Sequence, residues 1–329
     1  MKSSYCTKST IVGAFVALSL AAWTCSGVSI LGKPVKFGHQ TNIVIWNPAT
    51  HIEHFVRDAH FNSEAKDFGF IAPTPTNPEI SEASEDAFVL LAALKPPDRN
   101  HEAAKAAAAS TDAAPAPRVV QDVHVAGYHA VTLLASDSAG LATWMKQHGY
   151  ATTPAIQKWT DFYVKKHWYL TAFKVENRDE VLATGTIRLT FKTDKPFNPY
   201  YVPSDNIPQI HHRTGGLSLY FISSETYDGH VGEAGEWVKQ EWASGISEGM
   251  KREIATDLKL DPSELPAGAR VQFFHDRSFP RDAKDDLYFT LSPVQPQDNA
   301  RQMRVLQIFG FVLITGLAFW RWISIKPKA

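Results

Sequence analysis

A chain of 329 residues holds one large or two ordinary domains with ample material for a core, and its 44% hydrophobic and 12% aromatic content excludes a disordered protein. The net charge of −1 conceals an asymmetry: seven of the 33 cations (Lys2, Lys8, Arg301, Arg304, Arg321, Lys326, Lys328) sit at two ends that carry no acid, so residues 28–300 hold 26 cations against 34 acids. That acidic body argues against a nucleic-acid partner, which wants a clustered basic face, and with only Cys6 and Cys25 the chain lacks the thiolates for a zinc finger-like site.

Residues 2–10 are polar and basic, and the apolar run Ile11–Trp23 follows. This is the length of a secretory h-region and short for a membrane span, which predicts a signal peptide over residues 1–27 with cleavage between Thr24 and Gly27. Ala22-Trp-Thr-Cys25 is a distant version of a lipobox, with Trp23 and Thr24 where small residues are wanted.

Two β-rich runs, Thr41–Trp46 and Ile52–Arg57, flank an Asn47-Pro48 turn and read as a hairpin. Its second strand is expected to lead through Phe61 into Asp67–Ile80 as an antiparallel meander. In that stretch Phe68, Phe70 and Ile71 favour a strand, whereas Pro73, Pro75 and Pro78 force a stiff extended rod. A short helix beginning at Ser84 carries Phe88, Leu91 and Leu94 at core spacing. Residues 98–118, rich in alanine and proline, read as an exposed loop.

A β-rich run resumes at Val119. Asp137 then caps a helix that places Leu141, Trp144, Met145 and His148 on one face before Gly149 closes it. Thr153 caps the next helix, with Pro154 at its first position. The aromatic run Trp159 to Trp168 matches one helix face and reads as core. Strands are predicted near Tyr169–Val175, Thr186–Thr193, Leu217–Ser223, Val271–Phe274 and Leu287–Leu291. Val238, Trp242, Ile246, Met250, Ile254 and Leu258 recur every four residues, predicting two helices joined near Gly245–Gly249.

Met303 to Trp320, extended by Trp322 and Ile323, predicts one transmembrane helix across residues 303–323. Arg321, Lys326 and Lys328 would then lie on the cytoplasmic side. The domain plan is a signal peptide over 1–27, an extracytoplasmic domain over 28–300, and a membrane helix with a basic tail over 301–329. The fold class expected is α+β, with mixed and antiparallel sheets, a few packed helices and the C-terminal transmembrane helix.

Val125-Ala-Gly-Tyr-His-Ala-Val-Thr-Leu-Leu-Ala, together with Leu141–Tyr150, Asp67–Ile80, Ile187–Phe197 and Asp286-Leu-Tyr-Phe289, resembles a bacterial family, domain-of-unknown-function family 2330, over residues 37–291. The resemblance implies an exported domain, often followed by a membrane segment, with no assigned activity.

Histidine is the abundant ligand type, at 13 residues. His51, His54 and His60 could approach a metal across the first hairpin, and His211 lies in a loop before Gly215-Gly216. These four are the metal candidates. Asp285-Asp286 reads as a solvated pair in a polar turn. No catalytic set and no cofactor is predicted. The expected role is therefore a non-catalytic, membrane-anchored extracytoplasmic module on the bacterial cell membrane. Its partners would be the bilayer, through residues 303–323, and an envelope protein. The alternative is an extracytoplasmic histidine-ligated metal-binding protein or metalloenzyme.

Overall fold

The structure is a computed structural model that describes residues 26–29, 39–58, 68–95, 117–150, 152–175, 185–207 and 216–293. Residues 1–290 form one compact unit, and residues 291–329 fall in a second, of which 291–293 are described.

The first hairpin forms as the sequence dictates. β2 (His39–Asn47) and β3 (Ile52–Arg57) pair antiparallel, with Asn47↔Ile52 next to the turn. Their alternation feeds two different cores. Val44, Trp46 and Phe55 point one way, and Ile43, Ile45 and Val56 the other. β2 and β3 lie inside a seven-stranded sheet of order β13-β14-β11-β2-β3-β9-β5. Its other strands are β13 (Trp242–Gly245), β14 (Arg270–Asp276), β11 (Gly216–Ser223), β9 (Thr186–Lys192) and β5 (Glu79–Ala83). β11 and β2 pair in parallel.

A second sheet, of order β1-β4-β8-β7-β6, comprises β1 (Ser26–Ser29), β4 (Phe68–Thr74), β8 (Tyr169–Val175), β7 (Tyr128–Leu134) and β6 (Arg118–Val125), antiparallel throughout. Phe70, Tyr128, Ala130, Phe173 and Val175 on its inner face share one core with Val44, Phe55, Leu189 and Phe221 of the larger sheet. Its outer face, with Ile71, Val131, Leu133 and Leu170, packs on α2 (Ser138–Gln147) and α3 (Pro154–Lys165). The outer face of the larger sheet packs on α1 (Asp86–Ala93) and α4 (Glu248–Asp257). The result is four layers, helix–sheet–sheet–helix. A three-stranded sheet of β10 (Phe197–Asn198), β15 (Leu287–Leu291) and β12 (Tyr227–Val231) adds Phe197, Leu287, Phe289 and Tyr227 to the central core.

Three local readings need correction. β4 does not extend a meander from β3: it belongs to the other sheet, and the proline-rich segment carries the chain across to β5. This is the stiff connector that Pro75 and Pro78 favour. The stripe from Val238 to Leu258 is not two helices, because Trp242–Gly245 is the edge strand β13 and a single helix starts after Ser247, whose hydroxyl accepts from Met250 N–H. Asp286 is not a solvated turn residue, since it is completely buried.

The mixed α+β architecture stands, but its transmembrane component is corrected. No helix among the described residues is long and apolar enough to cross a membrane. The span expected at 303–323, the signal over 1–27 apart from Ser26 and Gly27, and most of the alanine-rich loop lie outside the described residues. The bilayer partnership and the single-pass, extracytoplasmic localisation drawn from that span therefore have no support in the described structure.

Candidate metal centre

The hairpin β6–β7 builds the site. Its turn is two residues long, Ala126-Gly127, between the directly paired Val125 and Tyr128. Both turn residues have positive φ, 50° and 80°, the mirror-image geometry that matches strand twist. Inward-facing Val123, Val125, Tyr128 and Ala130 anchor the hairpin in the central core. The alternation then puts Asp122, His124 and His129 together on the opposite face.

Counting back from the turn, His124 and His129 are opposed as a pair without ladder hydrogen bonds, the closer of the two antiparallel spacings. Their rings stack with centroids 5.0 Å apart and planes at 15°. His129 Nε2 and Asp122 Oδ1 are 2.7 Å apart, a contact that orients the imidazole. One donor atom from each of the three residues lies within 4.8 Å of the other two. The Asp122 side chain is 57% exposed and that of His129 31%, so the cluster opens to solvent. Lys174, the cross-strand neighbour of His129 on β8, is buried and donates to the carbonyl of His148 at 3.1 Å.

The histidines singled out from the sequence lie elsewhere. His51 occupies the turn of the first hairpin with φ 56°, edge-on to Trp46. His54 is fully buried on the face toward α1 and α4, with Nδ1 2.9 Å from Thr190 Oγ1. Burial and then the charge of Arg188 lower its pKa to about 3. His60 and His211 lie outside the described residues. Sequence reasoning missed the cluster that does form. The available signal was Asp-x-His on an extended run, with a third donor just past a two-residue turn.

A second histidine group lies at the end of β2. His39 Nε2 is 2.8 Å and His275 Nδ1 3.1 Å from Ser218 Oγ, and the two rings stack at 5.4 Å. Desolvation, then His275, lowers the His39 pKa to about 4. This group offers two imidazoles and a hydroxyl, one strong ligand fewer than the hairpin.

Two buried carboxylates are committed to structure. Asp276 accepts from Tyr200 Oη (2.6 Å), Trp237 Nε1 (3.0 Å) and Ser278 N–H (2.8 Å). Asp286 accepts from Tyr163 Oη (2.9 Å) and from the main-chain N–H groups of Tyr200 (2.8 Å) and Tyr201 (3.0 Å). Burial outweighs those hydrogen bonds and raises the Asp286 pKa to about 6. A groove of about 550 Å³ between α1 and α4, lined by Asp86, Val89, Arg252, Glu253 and Asp257, contains none of the hairpin residues.

Two imidazoles and a carboxylate converge on an open face of the β-hairpin as a three-donor cluster that could hold a metal ion. This overturns the expectation of a membrane-held binding module in favour of the metal-binding alternative. The chain belongs to the family described as "Uncharacterized protein conserved in bacteria" (DUF2330), which matches residues 21–243 and so includes the whole hairpin. No curated protein and no solved structure matches the chain.

Proposed function

We propose that the protein binds a divalent transition metal through Asp122, His124 and His129. The observation that carries this reading is the convergence of three donor atoms within 4.8 Å on a hairpin whose opposite face is locked into the core. Two imidazoles with one carboxylate suit zinc, copper, nickel or iron, and they leave coordination positions open.

Titration of the full chain with zinc chloride, followed by calorimetry, tests the proposal. We expect one zinc per chain. His124→Ala and His129→Ala should each weaken binding at least about tenfold, the scale of losing one member of a metal site. Affinity should fall as the pH is lowered, since protons compete for the imidazole lone pairs. Unchanged affinity in a His124→Ala/His129→Ala double variant would remove the site from consideration.

A further inference from the structure

Away from the hairpin, the outer face of the seven-stranded sheet brings a serine between two histidines. Three adjacent strands deliver them: β2 carries His39, β11 carries Ser218, and β14 carries His275, the cross-strand partner of Ser218. His39 stands opposite Gly216, where a Cβ would meet His39 Nδ1 at 3.0 Å. The glycine therefore lets the imidazole lean over β11 and bring Nε2 to 2.8 Å from Ser218 Oγ. His275 Nδ1 approaches the same oxygen at 3.1 Å. A hydroxyl has one proton, so it donates to one imidazole and accepts from the other. Among the described residues neither imidazole forms an ion pair with a carboxylate. Burial lowers the pKa of both, helped by His275 for His39 and by Arg277 for His275. Ser218 is 7% exposed, beside an exposed His39 and a half-buried His275, so the hydroxyl is recessed just below the surface.

We infer that Ser218 is a nucleophile for acyl transfer, with His39 as its general base, His275 holding the hydroxyl in place, and an ester of an apolar, aromatic acid as the substrate class. The inference is independent of the metal-binding reading. Neutral imidazole beside a serine hydroxyl is the pairing that makes the oxygen attack. The Oγ–carbon bond forms as the hydroxyl proton passes to His39 Nε2, and the bond to the leaving oxygen breaks as the alcohol departs with that proton. Water, deprotonated by the same imidazole, then cleaves the acyl-serine to the acid and restores the hydroxyl. Lys95, at the end of α1, acts on His275 and makes no ion pair among the described residues, which leaves a cation for the charge on the carbonyl oxygen. The acyl class follows from a row of near-parallel rings leading away from the serine. His39 to His275, His275 to Phe273 and Phe273 to Trp242 are 5.4, 6.3 and 5.3 Å apart, with planes at 25°, 18° and 17°. Phe273 and Trp242 are half-buried, so this rail is partly open to a flat acyl group. Ser247, in Gly245-Ile-Ser-Glu-Gly249, lacks such a setting: its hydroxyl accepts from Met250 N–H as the cap of α4, on ordinary extended backbone.

The test treats the purified full chain with an alkyl fluorophosphonate and locates the adduct by peptide mass spectrometry. We expect one adduct per chain, on Ser218, with fluoride released, and none in Ser218→Ala. His39→Gln should slow labelling at least about a hundredfold, the scale of losing a general base. EDTA should leave the rate unchanged, and p-nitrophenyl benzoate should be hydrolysed faster than p-nitrophenyl acetate. The charged groups facing the pair are Lys95, Glu241, Asp276 and Arg277. With the His39 pKa at about 4, the wild-type rate should hold level from about pH 8 to about pH 5.5. His275→Gln should move the acid limb upward, because His275 helps to lower that pKa; a limb that does not move overturns its positioning role. An unlabelled Ser218 in protein with a native melting curve overturns the proposal. So does labelling that is as fast in His39→Gln or in urea-unfolded chain, which would show an ordinary serine.

Discussion

Replacing Asp286 by asparagine offers a sharp test of the buried network that ties α3 to the segment around Tyr200. The carboxylate is completely enclosed, and its pKa is raised from 3.8 to about 6 by that enclosure. A proton is therefore held more tightly in the folded than in the unfolded chain. Its stabilising contribution is fully present below the unfolded value and is lost as the pH rises through 6. A displacement of roughly two units at 1.36 kcal/mol each amounts to about 3 kcal/mol lost between pH 4 and pH 7. Asparagine keeps an oxygen for the Tyr200 and Tyr201 N–H groups and does not titrate. Subtracting the variant's unfolding free energy from that of the wild type at each pH cancels the other titrating groups. Urea denaturation from pH 4 to pH 7.5 should show this difference falling by about 3 kcal/mol and then flattening above pH 6.5. Parallel curves for the two proteins would refute the argument, and a difference that grows with pH would show that hydrogen bonds from Tyr163, Tyr200 and Tyr201 outweigh burial.

Arg188 is nearly buried, donates to the carbonyls of Leu258 (2.5 Å) and Lys259 (2.7 Å) at the end of α4, and pairs with Glu79. Arg188→Met should cost about 2–4 kcal/mol by urea denaturation, because the buried carbonyl of Leu258 and the part-buried carbonyl of Lys259 lose their donor; a cost below about 1 kcal/mol would contradict this role. A Cβ at Gly69 would run into the carbonyl oxygen of Phe173 on the neighbouring strand, so Gly69→Ala should lower both soluble yield and melting temperature sharply, and a near-native melting curve would contradict the close approach. Ala126 sits at φ 50°, and Ala126→Gly should stabilise by about 0.5 kcal/mol, once relief of left-handed strain is offset by glycine's greater chain entropy. The same variant should leave zinc affinity unchanged, since the donors lie on the strands.

The parts of this fold legible in the sequence are those fixed by local chemistry. Asp137 and Thr153 accept hydrogen bonds from the main-chain N–H groups of Gly140 and Ile156, as helix caps should, and the β2–β3 hairpin follows from its alternation. What the sequence hid depends on partners far along the chain. Spacing by fours made Trp242 look helical, but its strand is set by pairing with β14. Asp286 sits among Arg281, Asp282, Lys284 and Asp285, a local context that signals solvent, and its burial comes from Tyr163 and Tyr200, 123 and 86 residues earlier. The three-donor cluster stayed hidden because Ala126-Gly127 is a weak form of a turn that Asn-Gly would have announced.

The parallel pairing of β2 with β11 bears on how the chain reaches this state. Partners such as Trp46 and Ser223 are 177 residues apart, and β14, which flanks β11 on its other side, comes later still. During synthesis the β2–β3 hairpin must wait, with apolar Ile43, Ile45 and Val56 uncovered, until the last third of the domain has emerged. Non-local pairing of this kind slows folding and prolongs exposure to aggregation. A fragment cut at residue 243, where the family match ends, would lack β14 and β15 and would leave β11 with an open edge in the middle of its sheet. Expression of anything shorter than about residue 291 should yield trapped intermediates rather than a smaller folded domain.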